Sequence, residues 1–411
     1  MGRIDYYALK SLDDRFGTPF YIMHTEKYKE NLNSFLSAFK RRYGKIVAGY
    51  SFKTNYVPAL CIAAKEEGCY AEVVSEMEYE LALKLGFSHI IFNGPIKRPA
   101  VLEKAIEQGA IVQLDSEYEV AFVLDYKKKH PEWNAKIGLR VNVGLTDKDG
   151  NSTIQCGLRS GRFGFPESIL KNNIDKLNDG GIKIISIHGH TSSSDRAVLN
   201  YRIISEKLLE VCSTFLLNDL RYFDVGGGFF GAAPEGMDLT GRPSYEDYAN
   251  VILNTCLKNE WFNRMQPTIV IEPGSSVVSN VFSYYTKVYQ TKEIGTSNFV
   301  LVDGTVFDVK PTLHSNNLPY RAICAQPSNN SITCDVVGST CMEKDIILKD
   351  IVLPVIHYGD YIEISGVGAY TIALTPSFIN YLPPILVNNQ QSYKEVRRRQ
   401  RLDDILTIYT L

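Results

Sequence analysis

Between residues 45 and 274 the chain repeats one pattern eight times, a short run of β-branched and aromatic residues closed by a turn signal. The runs are KIVAGYS (45–51), CYAEVVS (69–75), IIFNG (90–94), AIVQLD (110–115), AKIGLRVNV (135–143), IKIISIHGH (182–190), RYFDVGGG (221–228) and TIVIEPG (268–274). Most precede a stretch with helical periodicity, such as PALCIAAKEEG, EMEYELALKLG or SEYEVAFVLDYKKK. Near-continuous apolar runs mark strands covered on both faces, and strands joined through helices are parallel. Eight such units predict an α/β fold, a parallel (β/α)8 TIM-like barrel, with an open doubly wound sheet as the competing arrangement.

Beyond residue 275 the rhythm changes. FSYYTKVYQTKEI, FVLVDGTV, SITCDVVG, DYIEISGVGAYTIAL and PPILVN read as short strands between Gly, Asn, Asp and Pro turns, which predicts an antiparallel β domain. TPFYIMH (18–24) precedes the first barrel helix and is expected to add a strand to that domain. The expected division is a barrel over residues 26–275 and a β domain of residues 1–25 plus 276–411. The terminal YKEVRRRQRLDDILTIY reads as a charge-rich helical stretch whose arginines form a solvated face.

Lysine plus arginine number 44 and aspartate plus glutamate 46, a net charge of −2 that points to neither a nucleic acid nor a membrane surface as partner. No run of about 18 apolar residues is present, and MGRIDYYALK has no secretory apolar core. The eight cysteines (61, 69, 156, 212, 256, 324, 334 and 341) form no CxxC pair and match neither a disulfide framework nor a zinc site, so no metal is expected. A reducing, cytoplasmic compartment is the expectation.

Barrel enzymes build their sites at the C-terminal ends of the strands. Four unusual features fall there: Lys53 after AGYSF, His190 after ISIHG, glycines 226–228 after YFDV, and Glu272 after TIVI. Each suits a pyridoxal 5'-phosphate site. A lysine amine forms an imine, and burial lowers its pKa toward a useful nucleophile. A carboxylate facing the pyridine nitrogen keeps it protonated, which makes the ring an electron sink. Gly226, Gly227 and Gly228 let backbone N–H groups approach a phosphate, although a GGG run alone is as readily a plain loop. His190 is suited to stacking on the ring, against the common alternative of a structural histidine.

Taken with further motifs in order, these residues resemble the fold-type III pyridoxal-phosphate decarboxylases, the family of diaminopimelate and eukaryotic ornithine decarboxylases. The motifs are YSFKTN (50–55), AEVVSEMEYELAL (71–83), LRVN (139–142), GRFGF (161–165), HGHTSSS (188–194), DVGGGF (224–229), IEPG (271–274), GSTCMEKDII (338–347) and GDYIEISGVGAY (359–370). The resemblance implies Lys53 as the Schiff-base lysine, His190 on the ring, and Glu272 at its nitrogen. Ser193, Gly226 to Gly228 and Gly274 would surround the phosphate, with Tyr370 contacting it as well. Cys341 would donate the proton to the α carbon. In this family Cys341 and Tyr370 come from the neighbouring subunit, which implies a homodimer with shared sites.

The departures from the family pattern concern substrate. Glu-Pro-Gly-Arg appears as EPGS, with Ser275 in place of an arginine that the resemblance implies at the substrate's distal carboxylate in diaminopimelate decarboxylases and at the cofactor phosphate in ornithine decarboxylases. An acidic residue normally follows the motif cysteine and holds a distal ammonium; here it is Met342, which offers no such hydrogen bond. Arg-Pro-x-Leu-Tyr appears as KPTLH, so Lys310 and His314 are substituted. Asp303 stands where ornithine decarboxylases carry a substrate-contacting aspartate, and Glu343, one residue beyond Met342, reads as an exposed loop glutamate, with a displaced carboxylate as the alternative. These changes read against meso-diaminopimelate and toward another amino acid or an amino-acid-containing biosynthetic intermediate, free or carrier-bound. The alternatives are diaminopimelate decarboxylase proper, an amino-acid racemase, and a non-catalytic pyridoxal-phosphate-binding protein. Glu272 speaks against a racemase, whose ring nitrogen typically faces arginine, and the β-domain motifs against a binding protein.

Overall fold

The computed structural model describes residues 4–389 and 392–410. Two compact units divide the chain, residues 29–231 with 240–276, and residues 1–28 with 232–239 and 277–411. The first strand, β1 (Phe20–Met23), belongs to the second of these units.

The first unit is a closed barrel of eight parallel strands: β2 (Ile46–Ser51), β3 (Tyr70–Val73), β4 (Ile90–Phe92), β5 (Ile111–Leu114), β6 (Lys136–Val141), β7 (Lys183–Gly189), β8 (Tyr222–Asp224) and β9 (Thr268–Ile271). Ile46 of β2 pairs with Ile269 of β9 and closes it. Every strand read from the sequence is present, and closure excludes the open sheet. Helices follow for the expected reason: Ser75, Ser244 and Asn259 cap their helices by accepting backbone N–H bonds, and Pro58 and Pro99 occupy first helical positions. Inside the barrel, Ile91, Ile111 and Val270 pack with Tyr70 and Tyr222, residues near the starts of their strands. That apolar layer leaves the charged residues to the other end.

The second unit is one large sheet. β10 (Phe282–Ile294) is its spine, followed by β11 (Ser297–Val302), β12 (Tyr320–Ile323), β13 (Ser331–Val337), β14 (Ile346–Pro354), β15 (Tyr361–Ser365), β16 (Ile385–Asn388) and β17 (Tyr393–Arg397). Most pairings are antiparallel, but β1 pairs with β16 and β11 with β13 in parallel, so the sheet is mixed rather than purely antiparallel. Residues 232–239, assigned to the barrel from sequence, group here: Asn280 Nδ2 donates to Ala233 O at 3.3 Å. The terminal segment also differs from expectation. Arg397 ends a strand and donates to Pro383 O, Arg399 donates to the carbonyl of Thr18 at 2.8 Å, and only Leu402–Leu406 is helical. Carbonyl acceptors offered by the sheet outcompete the helix that the charge pattern suggested. Among the described residues no helix is long and apolar enough to cross a membrane.

Candidate active site

The polar end of the barrel holds a connected ring of side chains. Lys53 lies on the single 3-10 turn Phe52–Thr54 that follows β2. Its side chain is one-third exposed, so the burial expected of it is partial, and its Nζ is 2.5 Å from Glu72 Oε2 and 2.7 Å from Ser51 Oγ. Ser51 donates to the same carboxylate. Asn93, just beyond β4, joins two carboxylates: Nδ2 donates to Glu72 Oε1 at 3.0 Å and to Glu272 Oε1 at 2.6 Å.

Glu272 is fixed at the end of β9 by its own N–H, which donates to Gly226 O at 2.9 Å. His188 Nε2 lies 3.7 Å from Glu272 Oε2. Burial alone would raise the pKa of Glu272, but His188 and then Lys53 hold it below the usual carboxylate range. Asp224 moves the opposite way, pushed well above its ordinary value by burial and by the charge on Glu272. Two adjacent buried carboxylates do not both ionise. Glu272 keeps the charge and Asp224 the proton. His188, Asp224 and Glu272 offer atoms within 4.8 Å of one another.

His190 accepts the Gly227 N–H at Nδ1 (3.2 Å), and Nε2 is 3.4 Å from Ser192 Oγ. Burial, then the charge of Arg140, lowers its pKa to about 3, so the ring is neutral with its proton on Nε2. Arg140 in turn donates to His190 O at 3.0 Å and faces Asp115 at 3.5 Å. The neighbouring turns require glycine. Gly226 and Gly228 have φ of +70° and +92°, and a Cβ would fall 2.4 Å from Glu272 O at Gly227 and 2.3 Å from Thr54 Oγ1 at Gly274. Ser193 Oγ accepts from Arg196 N (3.0 Å) and Asn200 Nδ2 (2.9 Å), which leaves its own O–H to donate.

In the β unit, the loop carrying Cys341 is closed by Asp345, whose carboxylate accepts from Val306 N (2.6 Å) and Thr340 N (2.9 Å). A Cβ at Gly338 would fall 2.3 Å from Asp345 Oδ1, which explains the glycine and aspartate of that motif. Cys341 stands exposed on this loop, so it is not the inert buried thiol that most cysteines here are. Met342 is half-buried and Glu343 exposed. Tyr370 is exposed, in a turn with φ +57°. Lys310 is buried and its ammonium has no hydrogen-bond partner among the described residues; burial lowers its pKa. His314 is exposed, its pKa lowered by partial burial and by Lys310. Asp303 accepts from Thr18 Oγ1 (2.7 Å), Thr286 Oγ1 (2.8 Å) and Lys287 N (2.9 Å), three bonds that tie its carboxylate into the β unit.

The family model for the pyridoxal binding domain of pyridoxal-dependent decarboxylases matches residues 29–279. The chain belongs to this family. Among its relatives, diaminopimelate decarboxylase of Helicobacter pylori (strain J99 / ATCC 700824) is 28% identical over 407 residues, covering 97% of each chain. That of Aquifex aeolicus (strain VF5) is 27% identical over 423 residues, covering 98% of this chain and 94% of the relative. The solved structure of the Helicobacter pylori enzyme complexed with L-lysine is 26% identical with a TM-score of 0.83, covering 97% of this chain and 98% of that one. The arginine decarboxylase of Paramecium bursaria Chlorella virus, 21% identical with a TM-score of 0.75 over 93% and 99%, shares the fold.

The protein is thus a pyridoxal-phosphate-dependent amino-acid decarboxylase. The decarboxylase's own residues fit that cofactor: an ionised buried carboxylate for a ring N–H, a neutral imidazole, a lysine at the rim, and glycine turns that a Cβ would fill. Sequence reading missed Glu72, Asn93, Arg140, His188 and Asp224. Their signal was available, since a charged residue inside a strand buried on both faces is costly unless partnered.

Proposed function

We propose that the decarboxylase releases CO2 from an amino acid, or an amino-acid-containing intermediate, other than meso-diaminopimelate. The observation that carries this reading is the Cys341 loop: Asp345 fixes its shape, and the residue next to the cysteine is Met342 rather than a carboxylate. A distal ammonium left unpaired in a desolvated site costs several kcal/mol as an order of magnitude. Ser275 in place of arginine removes a partner for a distal carboxylate as well. Lys310, a mostly buried residue whose ammonium has no hydrogen-bond partner among the described residues, supports binding of a substrate carboxylate, with His314 beside it.

Pyridoxal phosphate, when bound, supplies the electron sink that accepts the electron pair left by departing CO2. Lys53 holds the cofactor covalently through Nζ, and Glu72 orients that amine. Glu272 stays ionised to hold a proton on the ring nitrogen, positioned by Asn93 and by His188. His190, kept neutral and fixed by Gly227 N–H, covers one ring face. Ser193, Gly226 to Gly228 and Gly274 receive the phosphate. Cys341 returns the proton to the α carbon. The exposure of Cys341 and Tyr370 supports their serving the partner subunit's site in a homodimer, Tyr370 at the phosphate.

A second reading is diaminopimelate decarboxylase proper, favoured by the names of the relatives. The deciding experiment measures CO2 release from diaminopimelate, ornithine, lysine, arginine and carboxylated polyamine precursors. Turnover of another compound with little from diaminopimelate is expected. Efficient conversion of meso-diaminopimelate would replace this reading with the second.

A further inference from the structure

The glycine turns and Ser193 offer neutral donors to a phosphate, yet a dianion also calls for a cation. Of the two cationic side chains in the ring described above, Lys53 is committed to Glu72 and Arg140 faces Asp115. Arg196 differs. Among the described residues no carboxylate lies within ion-pair distance of its guanidinium, whose polar contacts are Ser275 Oγ at 3.3 Å and Phe229 O at 3.5 Å from one terminal nitrogen. The guanidinium lies 5.2 Å from the centroid of the Phe230 ring, an aromatic contact that limits where it can swing. Several of its five N–H donors are left over.

The main chain explains how it gets there. Arg196 has φ +48°, a conformation unusual for a side-chain-bearing residue, and is pinned in it from both sides. Its N–H donates to Ser193 Oγ at 3.0 Å, and its carbonyl accepts from Tyr248 OH at 2.7 Å. The side chain is therefore sent from the loop after β7 toward Ser275, the residue after Gly274 at the end of β9. Strands β7, β8 and β9 are consecutive in the barrel, so Ser193, the glycine run and Ser275 are neighbours.

We infer that Arg196 is the cation that binds the cofactor phosphate in this chain, delivered from the β7 loop to the position at which the residue after IEPG is only a serine. The inference rests on the cofactor site described above and adds to it one charged residue. Ser275 is part of the arrangement: its hydroxyl accepts from the guanidinium, and an arginine there would compete for the same space.

The test is equilibrium titration of apo-protein with pyridoxal phosphate and, separately, with pyridoxal, which lacks the phosphate, followed by absorbance and by protein fluorescence. The variants are Arg196→Gln, Arg196→Lys and Arg196→Gln/Ser275→Arg; the main-chain contacts of residue 196 remain in all three. Arg196→Gln should weaken pyridoxal phosphate by about tenfold or more and pyridoxal by less than about twofold. Arg196→Lys should keep most of the preference for the phosphorylated form, and the double variant should recover it. Equal weakening of both ligands, or of neither, would overturn the assignment to the phosphate. Failure of the unaltered protein to bind pyridoxal phosphate at all would instead overturn the cofactor site itself, a result visible before any variant is made.

Discussion

Glu272 and Asp224 are chemically similar, buried, and close, yet the structure gives them opposite charge states, and this asymmetry can be measured. Their carboxylates lie within 4.8 Å of each other and of His188. At that distance and an effective dielectric of about 20, two unit charges repel by about 3.5 kcal/mol. Only one ionises, and the imidazole 3.7 Å from Glu272 decides which. Glu272→Gln keeps an oxygen for Asn93 but loses the charge at the ring nitrogen. A hydrogen bond to a charged group is worth about 1.5–3 kcal/mol, so kcat should fall roughly 10- to 150-fold with the cofactor still bound. Asp224→Asn replaces a neutral group with a neutral group and should change kcat by less than about threefold. Removing the charge on Glu272 also relieves Asp224, which can then ionise in part, so the double variant should be slower than Glu272→Gln alone. Steady-state CO2 release, with cofactor content read by absorbance, separates these outcomes. Equal losses in the two single variants, or a larger loss in Asp224→Asn, would refute the charge assignment.

Lys53→Ala should lose both the absorbance of the internal imine and turnover; retention of either one removes the lysine from its role. Glu119→Gln removes the charge opposite Lys97, with which Glu119 forms a fully buried pair at 3.2 Å while Lys97 keeps Gly94 O and Gln113 O as acceptors, and should cost about 3 kcal/mol of stability in urea unfolding, where a loss under about 1 kcal/mol would contradict it. Co-expression of Lys53→Ala with Cys341→Ala, each inactive alone, should restore roughly a quarter of wild-type activity, because about half of randomly paired dimers are mixed and each has one intact site. No recovery despite proven subunit exchange would place both residues in one chain.

The barrel was legible because each of its strands is buried on both faces, leaving an apolar run that turn residues punctuate. The half-exposed strands β12 and β14 were not read, since YRAI is short and IILKDIVLP is broken by Lys349 and Asp350, the latter at φ +51°. Lys53 and Glu272 were readable for a related reason, as charges that stop an apolar run. The network joining them was not. Ser51 and Glu72 meet because they are register partners in β2 and β3, and His188 and Asp224 because they are partners in β7 and β8. Register between strands 20 or 40 residues apart leaves no mark in a linear pattern.

That difference also accounts for where this decarboxylase departs from its relatives. Groups assigned to the cofactor sit at strand ends, and their positions follow from barrel closure: moving Glu272 means moving β9 against both β2 and β8. Lys310, His314 and Met342, assigned to the substrate, sit in the β unit. In the loop of Gly338 to Asp345, shape is set by the aspartate carboxylate and by the glycine that admits it, not by Cys341, Met342 or Glu343 between them. A substitution at 342 therefore alters what the loop presents without altering the loop. On the proposed assignment most cofactor contacts belong to the barrel and position 342 to a replaceable loop site, so a fold shared with diaminopimelate decarboxylases is compatible with a different substrate.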